Sequence, residues 1–472
     1  MVRAPFFLCP IMVLCIAAAA SAADIIAASC SSTAVQEAIN SAADADTVYI
    51  PAGTCVWTEQ VTIPSTKGIT LQGAGQGVTI IQGMSTTAST LVVNVTSGHA
   101  LTRVTGLTMD ANGVTKTGTV GWISLIGSGL DVFRVDHVTV NDLRSRGILV
   151  LAGGGELGGL IDHVTINMPN NGSAQGIAIY STGPEVDTPY SRAFTPGTNK
   201  SIYIEDSTFN YDYRGDSAMD ASAGARFVFR YNTLTNTNVE WHGADSGGYR
   251  GVHTFEVYRN KFASSVSMRM QFHRSGAGVS FDNTYTGAYS GLNLSVYRAR
   301  PQTYVAKYGQ CDGSSAWDGN VGAPGAPGWP CLDQTGYTFT QNSGGSYTSN
   351  PLYAWKNTRN GVEVAPTPSE VTAYLVENRD FFSYNPSFNG TRGVGVGVLA
   401  NRPATCTKNV AYWATDRGSW NSVVGGESGV LYRCTATNKW SLYYMPYAYP
   451  HPLQAMQSNT IMPGPPGGLV VK

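Results

Sequence analysis

The 472-residue chain is short of charge: Asp, Glu, Lys and Arg make up 13% of it, and its formal net charge is −1. It has no basic run, so nucleic acid and an anionic membrane surface are not expected partners. A local cluster of Arg would still suffice for an anionic polymer. The chain also lacks the Glu-, Lys-, Leu- and Ala-rich stretches that long helices carry on their faces. Past residue 23 no apolar run is long enough for a membrane span, so membrane insertion is not expected. There is no C-x-x-C pair, the usual zinc spacing, and no Asp-Asp or Asp-x-x-Asp pair. What the chain has instead is Gly (54), Tyr (25) and much Ser, Thr and Asn. That mixture suits β-strands joined by many turns.

Residues 1–23 place Arg3 before FFLCPIMVLCIAAAA and a small-residue end, SAA. This is the layout of a secretory signal peptide cleaved between Ala20 and Ala23, so a secreted protein, extracellular or periplasmic, is expected. Cys9 and Cys15 would leave with it. The other six cysteines fall into close couples, and structural disulfides Cys30–Cys55, Cys311–Cys331 and Cys406–Cys434 are expected in an exported chain.

The pattern predicts one helix, Thr33 to Ala43, with Val35, Ala38, Ile39 and Ala42 on one face and a capping box from Thr33 to Gln36. Strands follow in TVYIPAG, QVTIP, GITLQGAG and GVTIIQG. Gly73 to Gly77 (GAGQG) has the wrong spacing for a dinucleotide loop and no helix after it, so it reads as a turn. From Val104 a strand motif recurs: VTGLTM, VDHVTV, IDHVTI, EDSTFN, RYNTLT, YRNKFA and FDNTYT. With Gly106, His137, His163, Ser207, Asn232, Asn260 and Asn283 as equivalents, most steps are roughly 23 to 30 residues, the period of a solenoid. Gly content and period-2 alternation exclude helical repeats, and Leu is not the recurring residue of a leucine-rich repeat. The repeated Asn residues read as an internal ladder at a turn. His137 and His163, which recur at equivalent sites, read as scaffold.

The opening helix, YIPAGTC, GITLQGAG and the recurring D/N-x-T strands resemble the right-handed parallel β-helix of the pectate-lyase-like superfamily, over roughly residues 24 to 300 and part of 375 to 402. The resemblance implies an all-β solenoid with an N-terminal capping helix. Polysaccharide lyases, glycoside hydrolases and phage-type depolymerases share that fold, so fold alone licenses no reaction. The signature catalytic Lys or Arg motif of the best-known lyase branches has no placed counterpart here. The expected organisation is a signal peptide (1–23), a parallel β-helix (24–402, irregular over 301–374) and a C-terminal disulfide-linked β-hairpin extension (403–472). The Trp and Tyr of that extension are expected to pack along the solenoid's flank, with binding of sugar rings as the alternative.

Strand alternation assigns faces. In NVEWHG it turns Val239 and Trp241 inward and Glu240 and His242 outward. In SMRMQFH it turns Met268, Met270 and Phe272 inward and Arg269, Gln271 and His273 outward. In LNLSVY it turns Asn293, Ser295 and Tyr297 outward. Neighbouring coils lie about 4.8 Å apart, so these residues and Asp220 are expected to form one polar strip, joined by Arg250, Arg274, Arg298 and Arg300. The expected catalytic set is His242, Arg269, His273, Glu240 and Asp245. The expected substrate contacts are Arg250, Arg274, Gln271, Asn293, Tyr297 and Asp220. Such a cationic strip suits β-elimination on a uronate polymer, with Arg269 and Arg250 neutralising the carboxylate, His242 or His273 as base and Tyr297 as acid. Paired carboxyls among Asp220, Glu240 and Asp245 would suit glycoside hydrolysis instead. A non-catalytic glycan-binding solenoid is the third reading. Asp212, Asp216 and Asp220 carry oxygen ligands of the kind Ca2+ takes, in a spacing equally suited to a turn. The protein is expected to act on its polysaccharide as a monomer.

Overall fold

Residues 22–169, 174–182, 193–215, 217–244, 249–300, 307–322, 325–339, 347–369, 371–423 and 428–455 are described by a computed structural model. Most of the expected signal peptide lies outside these residues. Within them the chain winds as an all-β, right-handed parallel β-helix. One wall is a ten-stranded parallel sheet running from Val61–Ile63 through Leu91–Val95, Gly121–Gly129, Arg146–Leu157, Gln175–Thr182, Met219–Ala221, Val239–Trp241, Gln271–His273 and Leu292–Leu294 to Pro366–Pro368. The other walls belong to a 21-stranded sheet to which most later coils give two short strands, such as Thr254–Tyr258 and Lys261–Met268. Val, Ile, Leu and Phe from all walls fill a continuous core.

The helix Ser32–Ser41 closes the first coil, burying Val35, Ala38 and Ile39. Its N-cap is Ser31, whose hydroxyl accepts from Ala34 N, not Thr33 as the capping-box reading had it. Gln36 instead bonds both backbone groups of Thr62, tying the helix to the first strand of the ten-stranded sheet. The three expected disulfides are all present, with Cα–Cα distances of 5.7, 5.5 and 6.0 Å.

Register is held by side chains stacked at one corner. Asn232, Asn260, Asn283 and Asn357 form a fully buried ladder in which each amide oxygen takes the backbone N–H at the matching position of the preceding coil, Ser207 for the first rung and Asn for the others, at 2.9 to 3.3 Å. The ladder steps are 28, 23 and 74 residues. The alignment of His137 and His163 with these Asn is off by one. The two His share the preceding position with Asp206, Tyr231, Arg259, Asp282 and Lys356, where φ is 49 to 57°. Each imidazole bonds the carboxylate just before it, and the two rings stack at 5.2 Å.

At the end of the 74-residue step begins a further coil that the sequence reading left in irregular chain. Leu352–Trp355, Thr358–Arg359 and Pro366–Pro368 pair in register with the coil before them. The loop between is pinned by Cys311–Cys331, by the buried Arg298–Asp318 pair and by Arg250–Asp333. The tail is a four-stranded sheet that starts at Val394–Gly397, inside the span expected to be β-helix, and continues through Ala411–Ala414, Val430–Ala436 and Lys439–Tyr444. Its Trp413, Leu431 and Tyr444, with Trp420 and Tyr449, bury the aromatic residues Tyr203, Tyr258, Phe281, Tyr353 and Trp355 on the flank. No helix among the described residues is long and apolar enough to cross a membrane.

Candidate functional site

The outward column of the ten-stranded sheet reads Leu149, Ala178, Asp220, Glu240, Phe272, Asn293 and Thr367, one residue per coil. It is apolar and small at first, then turns polar at Asp220. Val239 and Trp241 are buried, which leaves Glu240 facing outward, with His242 just past the strand. Asp220, Glu240 and Asn293 therefore share one column, and His242 is brought to it: its Nε2 lies 3.2 Å from Asp220 Oδ2.

Asp220 is 1% exposed yet collects three donors on one oxygen. Besides His242, the Gln175 side-chain amide donates at 2.6 Å, and the Tyr180 hydroxyl lies 3.3 Å away. One coil earlier Arg146 Nε donates to Gln175 Oε1 at 2.9 Å. Burial, followed by the nearby Asp220 charge, pushes the Tyr180 phenol up, so it stays protonated at neutral pH. The sequence reading missed Arg146, Gln175 and Tyr180. A signal for the first two exists in the matching triplets Arg146-Gly147-Ile148 and Gln175-Gly176-Ile177, which pair in register.

On the C-terminal side the column becomes cationic and aromatic. Arg269 lies over the Phe272 ring at 4.1 Å, and Arg274 bridges Phe272 and Tyr297 at 5.1 and 4.9 Å. Arg300 sits 3.8 Å from the Tyr297 ring. Arg274 is largely buried and its Nε donates to the Trp241 carbonyl at 3.0 Å, and stacking on an aromatic face fixes the plane of each guanidinium.

Several expected members do not reach this face. Gln271 and His273 are fully buried and point into the core, while Phe272 points outward, the reverse of the alternation reading. The reason is a break in the strand: Met268 ends a strand of one wall, Arg269 and Met270 turn the corner, and Gln271 starts the next wall with its phase reset. Inside, Gln271 donates to Ser280 and Tyr285 and accepts from His273 Nε2, whose ring packs 4.1 Å from Trp241. Burial pushes His273 down to about 3, so it is a neutral core residue. Arg250 is also fully buried, in a two-toothed pair with Asp333 that leaves it a loop anchor. Ser295 is buried as well. Asp245 and Asp216 lie outside the described residues. Asp212 is exposed, and among the described residues no cluster of three or more His, Cys, Asp or Glu is placed to hold a metal ion.

No protein-family model matches the chain, and no curated protein does. Among solved structures it is similar to a family 28 exopolygalacturonase from Yersinia enterocolitica, at 12% identity and TM-score 0.41, over 80% of this chain and 73% of that one. An alginate lyase from Paenibacillus shares 15% identity at TM-score 0.25, over 57% and 94% of the two chains. A mannuronan C-5 epimerase module from Azotobacter vinelandii shares 13% at TM-score 0.28, over 72% and 93%. The chain spans about half the length of the Geobacillus virus E2 ORF18 structure it also matches, with 14% identity and a TM-score of 0.29 over 55% of each chain. Likenesses this loose carry no argument about chemistry.

Proposed function

We propose that this protein cleaves an acidic, uronate-containing polysaccharide by β-elimination on the outer face of the ten-stranded sheet, acting as a monomer outside the cell. The proton α to a sugar carboxylate is weakly acidic, so the reaction needs cations on that carboxylate and a base beside it. Arg269 and Arg274 supply the cations. His242 takes the proton, the electron pair left behind forms the sugar double bond as the glycosidic C–O bond breaks, and Tyr297 returns a proton to the departing oxygen.

The observation that carries this reading is the His242–Asp220 contact, 3.2 Å long, on the same face as the arginine–aromatic cluster. A carboxylate on one ring nitrogen orients an imidazole so that the other nitrogen accepts a proton. Three disulfides fit an oxidising compartment.

One observation favours a second reading, glycoside hydrolysis: Asp220 and Glu240 are in-register neighbours on coils about 4.8 Å apart, near the spacing of paired catalytic carboxyls. A panel of uronate and neutral polymers separates the two. Elimination gives an ultraviolet-absorbing unsaturated end, and hydrolysis gives reducing ends without absorbance. Cleavage of nothing in the panel would leave the non-catalytic glycan-binding solenoid standing.

A further inference from the structure

The donor set around Asp220 is lopsided. Oδ2 receives Gln175, Tyr180 and His242, while Oδ1, equally buried, has no hydrogen-bond partner among the described residues. All of its donors thus sit on one oxygen, which sets the rotation of the carboxylate. The lopsidedness is built in from two coils away. Arg146 can only donate, so its bond to Gln175 Oε1 fixes that atom as the acceptor and turns Gln175 Nε2, a donor, onto Asp220. Arg146 is itself anchored by the Gly118 carbonyl at 2.6 Å, and its guanidinium lies 5.7 Å from the Tyr180 ring. The Tyr180 hydroxyl sits between Gln175 Oε1 at 3.1 Å and Asp220 Oδ2 at 3.3 Å, so either way it helps to lock the same oxygen.

We infer that Arg146, Gln175 and Tyr180 are positioning residues that fix the rotation of the Asp220 carboxylate, so that Oδ2 holds the His242 ring. The inference rests on the glycan-cleaving reading for the role of His242. It extends the site two coils beyond the residues that stand next to the arginines.

Two measurements test it. In a crystal structure of Gln175→Ala/Tyr180→Phe the Asp220 carboxylate is expected to be rotated and its contact with His242 lengthened or lost. A carboxylate and a His242 ring unmoved in the double variant overturn the inference whether or not a substrate has been found. On a polymer that the panel identifies, Gln175→Ala and Arg146→Ala are each expected to lower kcat about tenfold with KM unchanged. The pair together is expected to cost no more than either alone, because they act in series, and Arg146→Lys is expected to recover part of the loss. Full activity in Gln175→Ala would overturn the positioning role and leave the cleavage reading intact. Failure to cleave any polymer would sink the cleavage reading, and the crystallographic arm would still decide the geometry.

Discussion

The histidines at positions 242 and 273 have the same neighbours in sequence pattern and opposite fates. His242 meets Asp220 at the surface of the ten-stranded sheet, and His273 is sealed against Trp241. His242→Ala is therefore expected to cost roughly 10²–10⁴-fold in turnover with little change in melting temperature, read by ultraviolet absorbance and calorimetry side by side. His273→Ala is expected to do the reverse, and equal activity losses in both would contradict their placement. Buried neutral histidines also set a pH signature. Burial pushes His273 and, with help from Arg230 and Arg134, His451 down to about 3. The unfolded chain protonates these rings near pH 6.5 and the folded one does not, so stability is complete above about 6.5 and falls as pH drops toward 3. Asp136 adds its loss lower still. Despite its burial, hydrogen bonds from Arg103 and His137 and the charge of Arg134 hold its carboxyl well below the usual range. A thermal midpoint that declines between pH 6.5 and 4.5, and declines less in His273→Gln, is the expected outcome.

The corner of four successive coils depends on the asparagine ladder. Asn260 donates to the carbonyls of Phe229 and Tyr258 and to Asn283 Oδ1, and accepts from Asn232. Asn260→Ala orphans several buried groups at about 1–3 kcal/mol each, so denaturant unfolding is expected to show a loss of roughly 2–5 kcal/mol. A loss under 1 kcal/mol would mean that water replaces the amide. This ladder was legible in the sequence because Asn recurs with a steady period next to aromatic runs. The groove was legible in part. Glu240, His242 and Asn293 follow from simple alternation, since each lies in or beside a strand that begins and ends within one wall. Gln271 and His273 were not legible, because alternation restarts wherever the chain turns a corner, and SMRMQFH looks continuous while crossing one. The coil at Leu352–Trp355 was hidden for another reason: loop-like composition surrounds it, and a 74-residue step breaks the period. Arg250 read as a groove cation because its partner, Asp333, lies 83 residues away.

The whole molecule is a stack with a brace. Glu256 is buried where Tyr444 and Gly197 donate to it, Arg230 bonds the carbonyls of Tyr447 and Ala448, and Glu205 takes the His451 N–H. Removing residues 394–472 would expose the aromatic side chains of that flank, Tyr203 to Trp355. The truncated protein is expected to bind a hydrophobic dye and to aggregate, and a soluble, dye-silent product would contradict the packing. In a simple solenoid each coil leans on its two neighbours, so separate turns peel away one at a time. Here the tail grips coils from Arg134 to Tyr353 at once, through the Leu453 carbonyl at one end and the Asn409 carbonyl at the other. Under tension along the axis the load therefore divides between two parallel members, spring and strut. Pulled by its ends, the full chain should give way in one large rip, and the shortened chain in a staircase of small ones.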